Sequence, residues 1–397
     1  MPAMLVNGYA LGRQSAGPRT LALWSLGLRP LYLVAGAYAA LAVPLWAMQY
    51  AGWIGGARAS AWHAHEMLFG YAVAVMVGFL FTAGRNWSGR ATPTGPALMA
   101  LTLVWLAARV LAFAPWPMLS GLVGVAFPLL AALGLGRALV GGANRRNYFF
   151  VAVLLLIAIA QGLSAGALAG WLTMPAGFGL QIGLDALLFV MAVMGGRVIP
   201  MFSNHGAPGT DARRHPLVER CALASLLLLA LADGFGVHGL ALAAVLALAA
   251  LSHAWRLALW HSWRTRQVAL VWILHAAYLW IVLHLALRAA SALDVFAPSV
   301  ATHALTVGAI GSMTLGMMTR TARGHLGQPL RADYYDRAMY TLVSAAALWR
   351  VALPLAMPST TTLAVCISGA IWAVAFGLFV WRYGPWLCFA RADGLPG

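Results

Sequence analysis

Read as apolar and polar positions, the chain is a succession of long apolar runs interrupted by short stretches of arginine, glycine and proline. An α-helix rises ~1.5 Å per residue, so crossing a hydrocarbon layer of ~30 Å takes about 20 mostly apolar residues. Twelve runs fit that requirement: 30–48, 63–83, 96–114, 117–140, 147–170, 178–200, 217–234, 237–257, 267–288, 298–319, 336–356 and 360–382. The cut inside 217–257, at ADGFGVHG, is the least sharp. None of the runs alternates with period two as barrel strands do, so they predict helices. The expected fold is an all-α polytopic membrane protein. Residues 30–382 form its twelve-helix domain, 1–29 a short cytoplasmic segment before it, and 383–397 a short cytoplasmic tail.

Charge sets the orientation. All 25 basic residues are arginine, and 21 of them fall in loops or helix ends on one side, leaving only Arg58, Arg109, Arg288 and Arg350 on the other. By the positive-inside rule the richer side is cytoplasmic, which puts both termini inside and the start of the second helix outside. No small-residue cleavage site interrupts the first apolar run, so it reads as a first helix and not a signal peptide. The inner (cytoplasmic) membrane of a bacterium is the expected location. Topology accounts for the net charge of +16, and nucleic acid is excluded as a partner. At 62% hydrophobic and 9% charged residues, with a mean hydropathy of +0.82, the chain has too little polar surface for a soluble globule. Cys221, Cys366 and Cys388 are widely separated and give neither a disulfide framework nor a CxxC or CxxCH site.

Ionisable groups within apolar spans are costly and by default mark a site. His63, His65 and Glu66 stand at the outer mouth of helix 2. His303 lies roughly 7.5 Å and His65 roughly 12 Å outward of their helix midpoints, on the helical rise. His284 falls at a similar level and His275 slightly inward of the centre. Neutral imidazole is the common ligand of haem iron and copper, and it is cheaper to bury than a carboxylate or an ammonium. On a helix, positions i and i+2 point about 200° apart, so His63 and His65 are not a simple ligand pair. The plainer alternative is that an intramembrane histidine bonds a neighbouring carbonyl, which is the first reading for His284, His253 and His261. For Glu66, a helix-dipole role after Ser60 competes with a proton-handling one.

A second polar set lies inward. Helix 6 ends GGRVIPMFSNHG, with Arg197, Asn204 and His205; helix 10 ends GMMTRTARGHLG, with Thr319, Arg320 and His325. Positive-inside placement alone accounts for arginines there, and Pro200 is expected to break helix 6. Helices 2, 6 and 10 end alike, in small residues, an arginine (Arg85, Arg197, Arg320) and a turn, which points to three four-helix units. Haem-copper oxidase subunit I has that plan, with haem ligands on helices 2 and 10. No histidines on helices 6 and 7 match its copper ligands.

The segments WHAHEMLFGYAVAVMVGFLFTAGRNWSG, GGRVIPMFSNHG, WILHAAYLWIVL and HALTVGAIGSMTLGMMTRTARGHLG resemble those of the NnrS family, bacterial inner-membrane proteins containing haem and copper and linked to nitric oxide and nitrosative stress. The resemblance extends from helix 2 to helix 10. Its motifs fall on His63, His65 and Glu66; on Arg197, Pro200 and Asn204; and on His275, Tyr278 and Trp280. On helix 10 they fall on His303, Thr306, Gly308, Gly311, Met313, Thr319, Arg320, Gly324 and His325. His284 and His205 are not tied to the family pattern.

The resemblance implies a haem, expected to be b-type, and copper, with ligands among His63, His65, His303 and His275, and a role in lowering nitric-oxide damage, in the manner of a nitric oxide reductase-like oxidoreductase. Nitric oxide and a quinol or other electron donor are the expected partners beside the lipid bilayer. Glu66 and Tyr278 are the candidate proton-handling residues. Arg197, Asn204, Arg320 and His325 are candidates for cofactor contact. The alternatives from other classes are a transporter or permease, which would use a midplane site, and a membrane haem sensor without turnover.

Overall fold

The computed structural model describes residues 20–55, 60–391 and 393. Its helices are α1 (Leu28–Tyr50), α2 (Ser60–Ser88), α3 (Gly95–Leu111), α4 (Pro117–Gly141), α5 (Phe149–Leu168), α6 (Ala176–Gly206), α7 (Pro216–Gly234), α8 (Gly239–Leu259), α9 (Ala269–Ser291), α10 (Pro298–His325), α11 (Tyr334–Ala356) and α12 (Thr361–Cys388). Each coincides with one of the apolar runs, and the indistinct cut in 217–257 falls between Gly234 and Gly239. Among the described residues, ten helical stretches are long and apolar enough to cross a membrane. The other two are α3, which is 17 residues long, and α7, which has Glu219 in its first turn. The expected segment 1–29 lies mostly outside the described residues.

Short loops make consecutive helices neighbours, and the ring closes where α1 packs on α12. α2, α6 and α10 are the most enclosed, with 83%, 72% and 72% of their apolar windows buried, against at most 61% elsewhere. They meet around a small apolar cavity of about 80 Å³ whose walls include Met76, Met191, Met194, Met313 and Met317. The three helices with matching ends thus form the centre of the bundle.

Two local departures from the expected helices have physical causes. Pro200 does not break α6. The helix runs through it without a break to Gly206, as a packed membrane helix can where neighbouring groups take up the freed backbone carbonyl. The last helix also outruns the expected boundary at 382 and continues to Cys388, because Arg29 of α1 donates to the carbonyls of Trp386, Leu387 and Phe389 at 2.8–3.2 Å. Those orphan carbonyls would otherwise favour an earlier end.

A third feature has no counterpart in the sequence reading. α2 widens into a π-helical segment over Glu66–Ala72 and α10 over Ala304–Gly311, each directly after a histidine. Such segments in an α-helix concentrate at functional sites.

At the end of the bundle where α10 finishes, one charged cluster joins three helices. Arg323 Nη2 donates to Asp333 and Asp336 at 2.8 and 2.6 Å, and Arg323 Nε donates to Tyr383 Oη at 2.9 Å. Tyr383 Oη in turn donates to Asp336 at 2.6 Å. Asp333 caps α11 in a reciprocal box with Asp336. In the loop before α11, burial works to raise the Asp333 carboxyl. Its hydrogen bonds from Arg382 and the Asp336 N–H, with the Arg323 and Arg382 charges, outweigh burial and hold it below its ordinary value.

Breaking a fully buried pair on one side costs about 3–5 kcal/mol. Asp336→Asn is therefore expected to lower the thermal unfolding midpoint of the detergent-solubilised protein sharply. Asp211→Asn, which removes the exposed pair to Arg213, should leave it close to that of wild type. Equal midpoints for the two variants would contradict the role given to the cluster.

Candidate functional site

At the end of the bundle where α2 and α10 begin, a cavity of about 310 Å³ lies between α1, α2, α6, α10, α11 and α12. His63 and His303 both line it, and Arg350 of α11 reaches into it. The rest of the wall is largely apolar and aromatic, including Trp46, Tyr71 and Trp372. Residues of both π-helical segments contribute: Met67, Leu68 and Tyr71 from α2, and Thr306, Val307 and Ile310 from α10.

The two imidazoles are held differently. His303 Nδ1 lies 2.6 Å from the Ser299 carbonyl, which can accept only from an N–H, so Nε2 is left with the lone pair. A ring nitrogen fixed by a backbone carbonyl is the support a ligating histidine needs. His303 Nε2 accepts from Arg350 Nη2 at 3.2 Å. His63 stacks on Trp46, with ring centroids 3.9 Å apart and planes 14° from parallel.

His65 faces a different cluster. Its Nδ1 lies 2.9 Å from Glu66 Oε1, while Glu66 Oε2 pairs with Arg109 at 2.9 Å and accepts a short hydrogen bond from Tyr38. Glu66 is 1% exposed, so this carboxylate is a buried ion-pair partner that clamps α1, α2 and α3 together. Within the π-helical turn beside it, the Gly70 carbonyl accepts from Trp105 Nε1 at 2.8 Å. Of the two helix-2 histidines, His63 lines the cavity with His303 and His65 does not, so the i, i+2 divergence of the pair is present in the structure.

The remaining candidates lie elsewhere. His275 is buried between Ser203 Oγ, at 2.7 Å, and Ser262 Oγ, at 2.9 Å. Tyr278 accepts from Arg256 Nη1 and donates to His253 Nδ1, at 2.8 and 2.7 Å, in a saturated network that includes Glu219. Arg197 donates to Asn147, and Asn204 pairs with the backbone of Ala212. Arg320 lies over the Phe202 ring, with its guanidinium carbon 3.9 Å from the centroid. The His325 carbonyl accepts from Arg391. His205 bonds the Met201 carbonyl within its own helix. His284, His253 and His261 each bond a carbonyl of another element, at Ala301, Ala222 and Thr210. The four proposed metal-binding histidines are thus not gathered at one point; only His63 and His303 share a cavity.

That donor set suits some cofactors better than others. Among the described residues no three or more His, Cys, Asp or Glu side chains are grouped to hold a metal ion, so no protein-only copper centre is assigned. A haem iron takes four of its bonds from the macrocycle and asks the protein for one or two. Two imidazoles, one with its tautomer fixed, on facing helices of an apolar cavity fit that demand.

Sequence reading missed Arg350, Arg109, Tyr38 and Trp46. A signal was present for the two arginines: they are among the four that run against the charge bias.

The family model described as NnrS protein matches residues 22–391. No curated protein matches the chain.

Removing the Glu66 carboxylate would leave the Arg109 guanidinium buried beside a neutral group. Glu66→Gln is expected to lower the unfolding midpoint by the equivalent of about 3–5 kcal/mol, and the double change Glu66→Met with Arg109→Met should recover a good part of it. Additive losses in the double variant, measured by thermal melts in detergent, would show that the two residues are not a coupled pair.

Proposed function

The chain belongs to the NnrS family, and from that premise we propose a haem-binding inner-membrane protein of the nitric oxide response, with the His63–His303 cavity as its haem site. In this reading the twelve helices all cross the membrane, both termini are cytoplasmic and the cavity lies in the outer half. The observation that carries the proposal is the convergence of His63 and His303 on one apolar cavity, with His303 Nε2 held in its lone-pair form by the Ser299 carbonyl.

When bound, haem supplies an iron that takes up nitric oxide and exchanges single electrons. The chain's own residues do the rest. His303 and His63 hold the group from facing helices. The Trp46 face fixes the His63 ring plane. The apolar walls exclude water and admit an uncharged, lipid-soluble ligand from the bilayer side. Arg350 places a positive charge within hydrogen-bond reach of His303, where negative charge on a bound ligand would be stabilised.

The Glu66–Arg109–Tyr38 clamp supports the α2 wall and stands outside the cavity lining, as does the Tyr278 network, so neither Glu66 nor Tyr278 touches the ligand in this reading. Electrons would come from a separate donor such as a quinol.

The test is the visible spectrum of the purified, dithionite-reduced protein and of three variants. His63→Ala and His303→Ala are expected to lose most of the Soret absorbance, while His65→Ala retains it, and nitric oxide should shift the band of the wild type. A band that survives in both cavity variants would overturn the ligand assignment. Absence of any band from haem-replete cells would overturn the haem reading itself.

A further inference from the structure

Six arginines are buried among the described residues: Arg29, Arg109, Arg256, Arg320, Arg323 and Arg350. A guanidinium stays protonated at any physiological pH, so each must be compensated inside the bundle. Arg29 is met by three carbonyls, Arg109 by Glu66, Arg256 by Glu219, and Arg323 by Asp333 and Asp336. Arg320 rests on the face of Phe202.

Arg350 is different. It is 5% exposed, its one hydrogen bond is from Nη2 to His303 Nε2, and its Nη1 has no hydrogen-bond partner among the described residues. All nine acidic residues of the chain lie among the described ones. Eight of them pair with an arginine other than Arg350, and the ninth, Asp294, lies in the loop between α9 and α10. The protein therefore supplies no counter-charge at this position.

We propose that the cavity is a binding site for a small planar oxoanion, two oxygens on one centre as in a carboxylate, anchored by Arg350. Three observations converge on it. The unpartnered Nη1 and the adjacent Nη2 belong to a planar donor fork that matches two oxygens side by side. The cavity holds about 310 Å³ with no acidic residue in its wall, so nothing repels an anion. Hydroxyls of Ser60 and Thr306 line it and can donate to further oxygens. In an apolar enclosure such charge-assisted bonds are stronger than in water. An anion that engages Arg350 also competes with His303 for the same N–H groups, so its binding alters access to His303 Nε2.

The anion site does not depend on the haem reading, because it is built from Arg350 and the cavity alone. Two sources share its chemistry: a propionate arm of a cavity-bound haem, and a free anion.

The experiment uses haem-free protein in detergent, with sodium formate and sodium nitrite as probes and sodium chloride at equal ionic strength as the control. Formate and nitrite are expected to raise the unfolding midpoint of the wild type, with chloride giving less. Arg350→Met should fold with a midpoint at or above that of the anion-free wild type, because it removes an uncompensated charge, and should lose the formate shift. Calorimetric titration of Arg350→Met should show formate binding weakened about 10- to 100-fold. Arg350→Lys, which keeps the charge and loses the fork, should bind formate with intermediate strength. No anion-specific shift in the wild type, or the same shift in Arg350→Met, would overturn the proposal.

Repeating the titration on haem-loaded protein assigns the source. If formate no longer binds, and Arg350→Met releases haem faster than wild type, the site belongs to a propionate. If formate still binds and perturbs the absorbance band, the site is for a free anion.

Discussion

A guanidinium inside a low-dielectric bundle must be compensated, and this chain carries 25 arginines against nine carboxylates. Hydrophobic burial does little to choose one helix arrangement over another in lipid, because lipid tails solvate an apolar face as well as another helix does. The charged contacts do discriminate. Glu66–Arg109 links α2 to α3, Glu219–Arg256 links α7 to α8, and Arg288 spans Asp185 of α6 and Asp233 of α7 from α9. Arg323 gathers α10, α11 and α12. These are pairwise conditions on register, and together they leave few ways to assemble the same helices.

The same constraint explains which arginines matter functionally. On the expected topology, most of the 25 fall on the side that positive-inside bias favours. Of the four against the bias, Arg58 lies outside the described residues, and the other three are all engaged at the end where α2 and α10 begin. Arg109 meets a carboxylate, Arg288 meets two, and Arg350 meets an imidazole in a cavity. An arginine on the unfavoured side is retained against an insertion cost, so its position has to be explained by a partner.

Much of the architecture was legible in the sequence, because apolar run length and arginine placement are properties of single segments. Helical depth set the starts of helices 2 and 10 at one level, and His63 and His303 from those starts line one cavity. It could not choose between His63 and His65, since that depends on side-chain contacts from other helices: Trp46 on α1 takes the His63 face, while Tyr38 on α1 and Arg109 on α3 hold the Glu66 carboxylate beside His65. His275 failed to join the outer histidines for a similar reason. Two serines, Ser203 on α6 and Ser262 before α9, satisfy both of its nitrogens where it stands. A histidine's chemistry is fixed by what its second nitrogen meets, and that partner is distant in sequence.

The π-helical segments tie these strands together. A widened turn leaves backbone carbonyls without their usual partners and is tolerated at membrane depth only against protein or a cavity. Both conditions are met here. Trp105 takes the Gly70 carbonyl on α2. On α10, Gly308 and Gly311 lie so close to Trp280 and Trp372 that a Cβ would stand 2.4 and 2.5 Å from those rings. The glycines let two indoles pack directly on the irregular backbone, and the opposite side of each segment forms wall of the histidine cavity. The cavity is thus a product of two locally unfavourable turns held open by tryptophan packing. Filling either glycine would act on the cavity by moving its wall, without touching a histidine.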